Sequence, residues 1–175
     1  MANVLGNVIK KGKGAAGAVE LFIDGVKTTD YTKVELDSYV EDFESASTLP
    51  YNFHEGKAVT FDNNIHILGS HNSGQERKHY KWDGTSWTSV STLPYSFYNG
   101  AAVVYNNEIH ILGGSGGNTS HYKWDGISWT SVSTLPYNFY YGAAVVYNNG
   151  IHILGSLSYY RYHYKSELKY DVNLS

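Results

Sequence analysis

Two long segments of this 175-residue chain are nearly the same sequence. Residues 79–95 read HYKWDGTSWTSVSTLPY and residues 121–137 read HYKWDGISWTSVSTLPY, with one difference in seventeen positions. The pentapeptide IHILG occurs three times, at 65–69, 109–113 and 151–155, with spacings of 44 and 42 residues. A period in the low forties is typical of stacked supersecondary units that bury their faces against their neighbours. Because a repeat multiplies the same side chains at separated points, it favours a scaffold or a binding surface over a catalytic centre.

The composition favours β-structure and excludes several classes of protein. Aromatic residues make up 15% of the chain and 18 residues are Gly, which suits short strands and tight turns. The net charge of −3 gives no reason to expect nucleic acid as a partner. No cysteine is present, which excludes disulfides and thiolate metal sites. No segment has the apolar run of a signal sequence or a membrane span, so we expect a protein made in the cytoplasm without a signal peptide.

The second repeat shows the strands of one unit most clearly. Apolar runs at 101–105 and 109–112 flank Asn106-Asn107, and asparagine tolerates the positive φ of a tight hairpin turn. A third strand is predicted over 121–124, and after Asp125-Gly126 a fourth over 128–135. Each unit is therefore predicted to be a four-stranded antiparallel meander, with at most a short helix elsewhere. The three units are residues 43–93, 94–135 and 136–175.

Both ends of the repeat array are irregular. Residues 43–49 match a fourth strand that no first three strands precede, and in the last unit Trp124 and Trp129 become Ser166 and Asp171. Four-stranded units repeated radially make a β-propeller, which needs about four to eight of them. We therefore expect self-association to close the ring. Two copies would supply six units, with residues 43–49 of one copy completing the last unit of the other.

Residues 1–41 lie outside the repeat domain of 42–175. Glycines at the start and an expected hairpin, with strands over 19–23 and 31–36 around Asp24-Gly25, distinguish this segment. Because an isolated hairpin is marginal in water, we expect the segment to be ordered by a partner and to act as the attachment device.

The repeat resembles a known family. The run AAVVYNNEIHILGG, followed by YKWDG and SWTSVSTLP, is similar to a Kelch repeat, which implies Kelch-like β-propeller blades. The double glycine survives only at Gly113-Gly114, and the period is shorter than the usual ~50 residues. The amino-acid sequence of the repeat also resembles Kelch-like proteins encoded in the tail modules of Gram-positive phages and phage-tail-like bacteriocins. That resemblance implies a tail, baseplate or fibre component assembled into a particle.

Histidine recurs in register in two strands of every unit. The second strands carry His66, His110 and His152, and the third strands carry His79, His121 and His163. Such pairs could hold a metal, but no carboxylate recurs beside both histidines to complete a ligand set. We therefore expect no metal, and rings that pack between blades with one hydrogen bond each.

Enzyme activity is not expected. The sequence offers no set of nucleophile, base and orienting group. Kelch-type propellers include a copper oxidase whose cofactor needs a Tyr–Cys crosslink. This chain resembles them but has no cysteine, so that activity is not expected here. Sialidase-like propellers use an arginine cluster, whereas Arg77 and Arg161 are the only arginines here. No cofactor is predicted.

The loops between second and third strands vary most among the units, at 70–78, 114–120 and 156–162. Variable loops on a rigid scaffold are where recognition concentrates, and Tyr and Arg are over-represented in interfaces. The predicted binding residues for a cell-surface glycan or protein are Tyr159, Tyr160, Arg161, Tyr162, Arg77 and Asn118. The repeated aromatic set before each first strand, such as Tyr95 and Phe97, is predicted to be structural.

These expectations combine into one function and two alternatives. The chain is predicted to be a non-enzymatic structural or adsorption component of a phage or phage-tail-like particle, joined to other tail or baseplate proteins through residues 1–41. A carbohydrate-binding lectin propeller and an intracellular Kelch scaffold for protein–protein interaction are the alternatives.

Overall fold

Thirteen β-strands and no helix make up the part of the chain that the structure describes. This computed structural model describes residues 45–166 and the backbone of two short strands at 22–23 and 26–27. None of these residues belongs to a helix long and apolar enough to cross a membrane. The β-rich content expected from the repeat is confirmed. The chain divides into two compact units, Met1–Ser45 and Ala46–Ser175.

The first unit contains a short hairpin. Strands β1 (Phe22–Ile23) and β2 (Val26–Lys27) pair antiparallel, with Ile23 opposite Val26. Two residues, Asp24 and Gly25, separate these strands in the sequence, and the turn predicted there lies outside the described residues. The return strand follows directly after this two-residue connection, and the predicted strand over 31–36 lies outside the described residues.

The second unit contains three antiparallel sheets, each formed by consecutive strands. Sheet I consists of β3 (Lys57–Phe61), β4 (Asn64–Leu68), β5 (Lys78–Trp82) and β6 (Trp87–Thr92). Sheet II consists of β7 (Ala101–Tyr105), β8 (Glu108–Leu112), β9 (His121–Trp124) and β10 (Trp129–Ser131). Sheet III consists of β11 (Ala143–Tyr147), β12 (Gly150–Leu154) and β13 (His163–Lys165). The meander is confirmed, and the residues expected to form a fourth strand of sheet III lie beyond those described.

Asparagine makes the first turn of every sheet. Asn106 and Asn107 both have positive φ, at 50° and 57°, and the residue pairs 62–63 and 148–149 repeat this geometry. Two consecutive positive φ angles match the right-handed twist of a two-residue hairpin, and asparagine adopts them at low cost. The turn predicted at Asn106-Asn107 is confirmed.

Two strand predictions need correction. The fourth strand of sheet II covers Trp129–Ser131 and not residues 128–135, because β9 begins at His121 and offers no earlier residue as a partner. Val132 N still donates to His121 O of β9 at 2.8 Å, and further along, the chain bonds to the preceding loop, with Leu135 N donating to Thr119 O at 2.7 Å. Of the fourth strand predicted over 43–49, the described residues 45–49 form no strand, because no third strand stands beside them.

The three sheets pack in chain order, each through the same two faces. We call forward the face that carries the first, third and fifth residues of the first strand, and rear the opposite face. The forward face of sheet I, with Phe61 and Leu68, packs on Ile109, Ile111 and Trp124 of sheet II. The forward face of sheet II does the same with the rear face of sheet III. That core contains Ala101, Val103, Tyr105, Leu112, Ile151 and Ile153.

Candidate functional site

The variable loops of the three sheets all lie on one edge of the stack. Each loop bonds to a leading segment, the stretch from the Leu-Pro-Tyr to the first strand: Phe97 N donates to Glu76 O at 2.8 Å and Phe139 N to Asn118 O at 2.9 Å. The hairpin turns between first and second strands lie at the opposite edge, because the strands alternate in direction. We call the edge that carries the variable loops the loop edge.

A tyrosine cluster occupies the loop edge of sheet III. The rings of Tyr159 and Tyr162 stack at 5.3 Å between centroids with an angle of 26°. Tyr137 lies beneath them, 4.9 Å from Tyr159 and 5.5 Å from Tyr164. The buried Tyr137 hydroxyl donates to Gly155 O at 3.1 Å, and burial raises its pKa. The cluster thus has an anchored base and an exposed upper surface.

The structure brings together only some of the predicted binding residues. Tyr160 is 78% exposed beside the cluster, and Arg161 is exposed as well. Arg77 instead holds its own loop, since its Nε donates to Leu93 O at 2.7 Å. Asn118 is exposed in the loop of sheet II, and within residues 45–166 no hydrogen bond or ring contact joins it to Arg77 or the tyrosines. Tyr137 belongs to the repeated aromatic set that was predicted to be structural, and Tyr164 was not predicted because it lies outside the variable loop.

The six repeated histidines form three identical pairs. In sheet I, His66 Nδ1 lies 2.8 Å from His79 Nε2, and the pairs His110–His121 and His152–His163 have the same distance. Two nitrogen ligands of a tetrahedral metal stand about 3.3 Å apart, since each bond is about 2.0 Å. A separation of 2.8 Å is a hydrogen bond, so the rings bind each other.

Burial favours the neutral form of the histidine pairs in sheets I and II, because desolvation lowers the pKa of all four rings. Desolvation lowers the pKa of His79 to about 3 and that of His121 to about 4, and neighbouring His66 and His110 add to the effect. In sheet I both rings can be satisfied when neutral: with His66 Nε2–H donating to the Phe61 carbonyl, His66 Nδ1 accepts from His79 Nε2–H. In sheet I the network extends through Ser91, whose Oγ lies 2.8 Å from His79 Nδ1 and accepts from Trp129 Nε1 at 3.0 Å.

The two ends of the stack expose faces that are buried inside it. Val103 and Tyr105 on the forward face of sheet II are 7% and 8% exposed, whereas their counterparts Val145 and Tyr147 on sheet III are 47% and 63% exposed. On the rear face, Ile109 of sheet II is fully buried and its counterpart Ile65 of sheet I is 45% exposed. Each end therefore carries one half of an interface that the chain builds twice internally.

Three ionisable residues that do not repeat meet at the loop edge of sheet I. His71 Nδ1 lies 3.0 Å from Glu55 Oε2, and His54 Nε2 lies 3.7 Å from Glu55 Oε1. One ligand atom from each residue falls within 4.8 Å of the others. The sequence analysis missed this set because it considered the repeated histidines. The signal that could have identified it is the simultaneous departure of three positions from the repeat.

Comparison with known proteins bears on the fold alone. The solved structure of YjhT is similar, with a TM-score of 0.53 and 19% identity over 61% of this chain. The match covers 35% of the YjhT chain, so the present chain corresponds to about a third of that structure. No protein-family model and no curated protein sequence matches the chain.

Proposed function

We propose that this chain is a non-enzymatic assembly and binding part of a β-propeller, joined to a second copy through its two end sheets. The observation that carries the proposal is the exposure of Val145 and Tyr147 on sheet III, whose counterparts Val103 and Tyr105 are buried. Exposed apolar faces of this kind mark association sites. The same side chains in the same register already have a partner inside the chain, namely the rear face of the next sheet.

A second copy offers the partner that the exposed face requires. The rear face of sheet I, with Ala58, Thr60 and Ile65, is the counterpart of the rear faces that receive sheets I and II. Three sheets from each of two copies give six, which is within the range of about four to eight blades of β-propellers. Since each end of one copy meets the opposite end of the other, both joints form at once and the ring closes.

The segment before sheet I supports the same arrangement. Trp87 Nε1 donates to Ser47 Oγ at 3.1 Å, as Trp129 Nε1 donates to Ser91 Oγ at 3.0 Å inside the stack. Ser91 belongs to the fourth strand of the preceding sheet, so Ser47 occupies the place of a fourth strand that precedes sheet I. In the ring, this place lies beside sheet III of the other copy. Residues 43–49 would then complete the last blade, next to residues 160–165 of the partner copy.

The test is the molar mass in solution, measured by light scattering on the full chain. We expect a mass of two chains at micromolar concentration for the wild type. Val145→Asp on the forward face and Ile65→Asp on the rear face should each give one chain, because each places a charge in both joints of the ring. A mixture of the two variants should recover pairs, since one of its joints carries no substitution.

The control is Ile127→Asp. Ile127 is 88% exposed at a hairpin turn, so its replacement should leave the mass unchanged. A wild-type protein that stays a monomer at micromolar concentration would contradict the closure by a second copy. Pairs that persist in both single variants would place the interface elsewhere.

The setting that we propose is a phage tail, baseplate or fibre, or a phage-tail-like particle. This setting rests on the resemblance of the repeat sequence to Kelch-like proteins of phage tail modules. In this proposal the protein is made in the cytoplasm, and residues 1–41 attach it to other tail or baseplate proteins. Deleting residues 1–41 should remove the protein from such particles and leave the sheets folded. Tail genes beside the gene for this chain support the setting, and normal incorporation of the truncated chain overturns the attachment role.

A second candidate function is carbohydrate binding by the tyrosine cluster. The stacked Tyr159 and Tyr162 rings and the exposed Tyr160 offer flat apolar surfaces beside the charge of Arg161, a combination suited to sugar rings or to a protein surface. Binding on a glycan array that is lost in the Tyr159→Ala, Tyr162→Ala double variant would support it. Replacing the exposed Tyr141 outside the cluster serves as the control.

A further inference from the structure

The eight histidines of the chain fall into two groups. Six belong to the hydrogen-bonded pairs of the three sheets, and the remaining two are His54 and His71. These two lie together at the loop edge of sheet I with Glu55 between them. The repeated histidines are structural, so a separate role is needed for the two that do not repeat.

The comparison among repeats isolates this cluster. The leading segment of sheet I has His54 and Glu55 where that of sheet II has Tyr98 and Asn99, and His71 corresponds to Ser115. Sheet III has Tyr140, Tyr141 and Leu157 at the same three positions. The scaffold therefore folds without these ionisable side chains, and only the first unit brings two imidazoles and a carboxylate to this point.

Backbone contacts hold the three residues in place. His71 N donates to His54 O at 2.7 Å, and His54 N donates to Ser70 Oγ at 2.9 Å. The carbonyl of Glu55 accepts from Asn99 N at 3.0 Å, which ties it to the next leading segment. The ring of Tyr98 stacks on His71 at 4.4 Å with an angle of 14°. A metal site gains affinity when its ligands are held in this way before binding.

The distances match the first coordination shell of a small cation. Tetrahedral ligands with bonds of about 2.0 Å stand about 3.3 Å apart. His71 Nδ1 lies 3.0 Å from Glu55 Oε2 and His54 Nε2 lies 3.7 Å from Glu55 Oε1, which is close to this spacing on both carboxylate oxygens. One ligand atom from each of the three residues falls within 4.8 Å of the others. Glu55 Oε2 is buried and accepts no hydrogen bond from the described residues, since its 3.0 Å contact with His71 Nδ1 does not have hydrogen-bond geometry. That oxygen therefore has a lone pair free for a cation.

We propose that His54, Glu55 and His71 form a binding site for a divalent transition-metal ion of the zinc class. Two imidazole nitrogens and one carboxylate oxygen suit Zn²⁺ and its neighbours, whereas Mg²⁺ and Ca²⁺ take oxygen ligands. Three protein ligands leave a fourth position for water or for a donor group of a bound molecule. The exposed edges of both imidazoles make the site accessible from solvent.

The test is a zinc titration by calorimetry on the full, untagged chain, with Co²⁺ absorption as a second readout. The wild type should bind one Zn²⁺ per chain, and Co²⁺ should give the visible bands of a site with nitrogen and oxygen ligands. Mg²⁺ should produce no response. His71→Ser alone should weaken zinc binding at least tenfold, because even the loss of a supporting group outside the ligand shell costs about 10–100-fold.

The matched control takes its residues from the second repeat. The triple variant His54→Tyr, Glu55→Asn, His71→Ser installs the residues of sheet II, and asparagine suits the positive φ of 57° at position 55. It keeps all six paired histidines, so any zinc that it binds lies outside the proposed site. Zinc uptake that is equal in the wild type and the folded triple variant overturns the site, as does a wild type without uptake.

Discussion

The interface between sheets I and II is filled differently from the interface between sheets II and III, although strands of nearly the same sequence form both. In the first, the indole of Trp124 packs on Phe61, His66 and His79, with ring centroids 5.5, 5.4 and 4.8 Å away. In the second, the equivalent position is Ser166. A cavity of about 220 Å³ lies there, lined by Tyr105, His110, His121 and Ser166 among others.

The burial of the histidine pairs decreases along the stack, from sheet I to sheet III. His79 under Trp124 is fully buried, His121 is 7% exposed and His163 at the open end is exposed. The pKa of His79 is lowered to about 3 and that of His121 to about 4, chiefly by desolvation in both cases. Identical strands thus give different environments, and the difference comes from the side chain that the next repeat supplies.

The largest expected effect is on the indole that fills the first interface. Trp124→Ala removes a side chain that is 4% exposed, so we expect a loss of about 3–5 kcal/mol in the free energy of unfolding. Ser166→Ala at the equivalent position loses only the hydrogen bond from Ile151 N to Ser166 Oγ, and we expect about 1 kcal/mol. Urea unfolding of both variants measures the difference. Similar losses would mean that the two interfaces are equally filled.

The second prediction concerns the stability in acid. The unfolded pKa of histidine is about 6.5, and the folded pKa of His79 and His121 is lower, so the unfolded chain binds more protons as the pH falls below 6.5. Stability is therefore greatest above pH 6.5 and is lost as the pH falls toward the folded pKa. Each residue should account for about 2 kcal/mol between pH 7 and pH 5.

Unfolding curves over this pH range test the sign and the site. His79→Gln and His121→Gln should each flatten the loss relative to the wild type. In NMR titration His121 should protonate at a higher pH than His79, because its interface is less completely filled. A wild-type pH dependence in both variants would show that other groups dominate acid unfolding.

The sequence was sufficient to predict the first three strands of a unit, because the repeat aligns apolar runs with turns that few residues can make. Asn106 and Asn107 have the positive φ that their type implies. The extent of the fourth strand was not predictable from residues 128–135 alone, since its length depends on where the third strand begins. An internal period identifies equivalent residues but not their partners, and β10 has fewer partners than β6.

The same limit applies to the candidate sites. The register of His66 and His79 was visible in the sequence, but their hydrogen bond depends on the pairing of neighbouring strands, which places both on the forward face. The cluster of His54, Glu55 and His71 joins two segments that are neighbours only in space. An analysis based on the repeat selects residues that occur in every unit, whereas these three residues occur in the first unit and not at the equivalent positions of the other two.

The last prediction compares the hydroxyl groups of two equivalent serines, Ser91 and Ser133, and includes the smallest expected effect. Ser91 Oγ accepts from Trp129 Nε1 at 3.0 Å and lies 2.8 Å from His79 Nδ1, so Ser91→Ala leaves two buried polar groups without a partner. We expect a loss of about 1–3 kcal/mol, the cost of unsatisfied buried groups. Its counterpart Ser133 borders the second interface, where Asp171 takes the place of Trp129 in the sequence. The Ser133 side chain is exposed and makes no hydrogen bond within residues 45–166.

Ser133→Ala should therefore cost less than about 0.5 kcal/mol, as surface substitutions away from specific contacts do. Both serines lie in the same repeated sequence, SVSTLPY. A difference in stability between the two variants is therefore caused by the contacts of Ser91 with Trp129 and His79. Parallel urea unfolding of both variants at pH 7 gives the comparison. If Ser133→Ala costs as much as Ser91→Ala, the hydroxyl acts within its own strand, and the two interfaces differ only by the indole of Trp124.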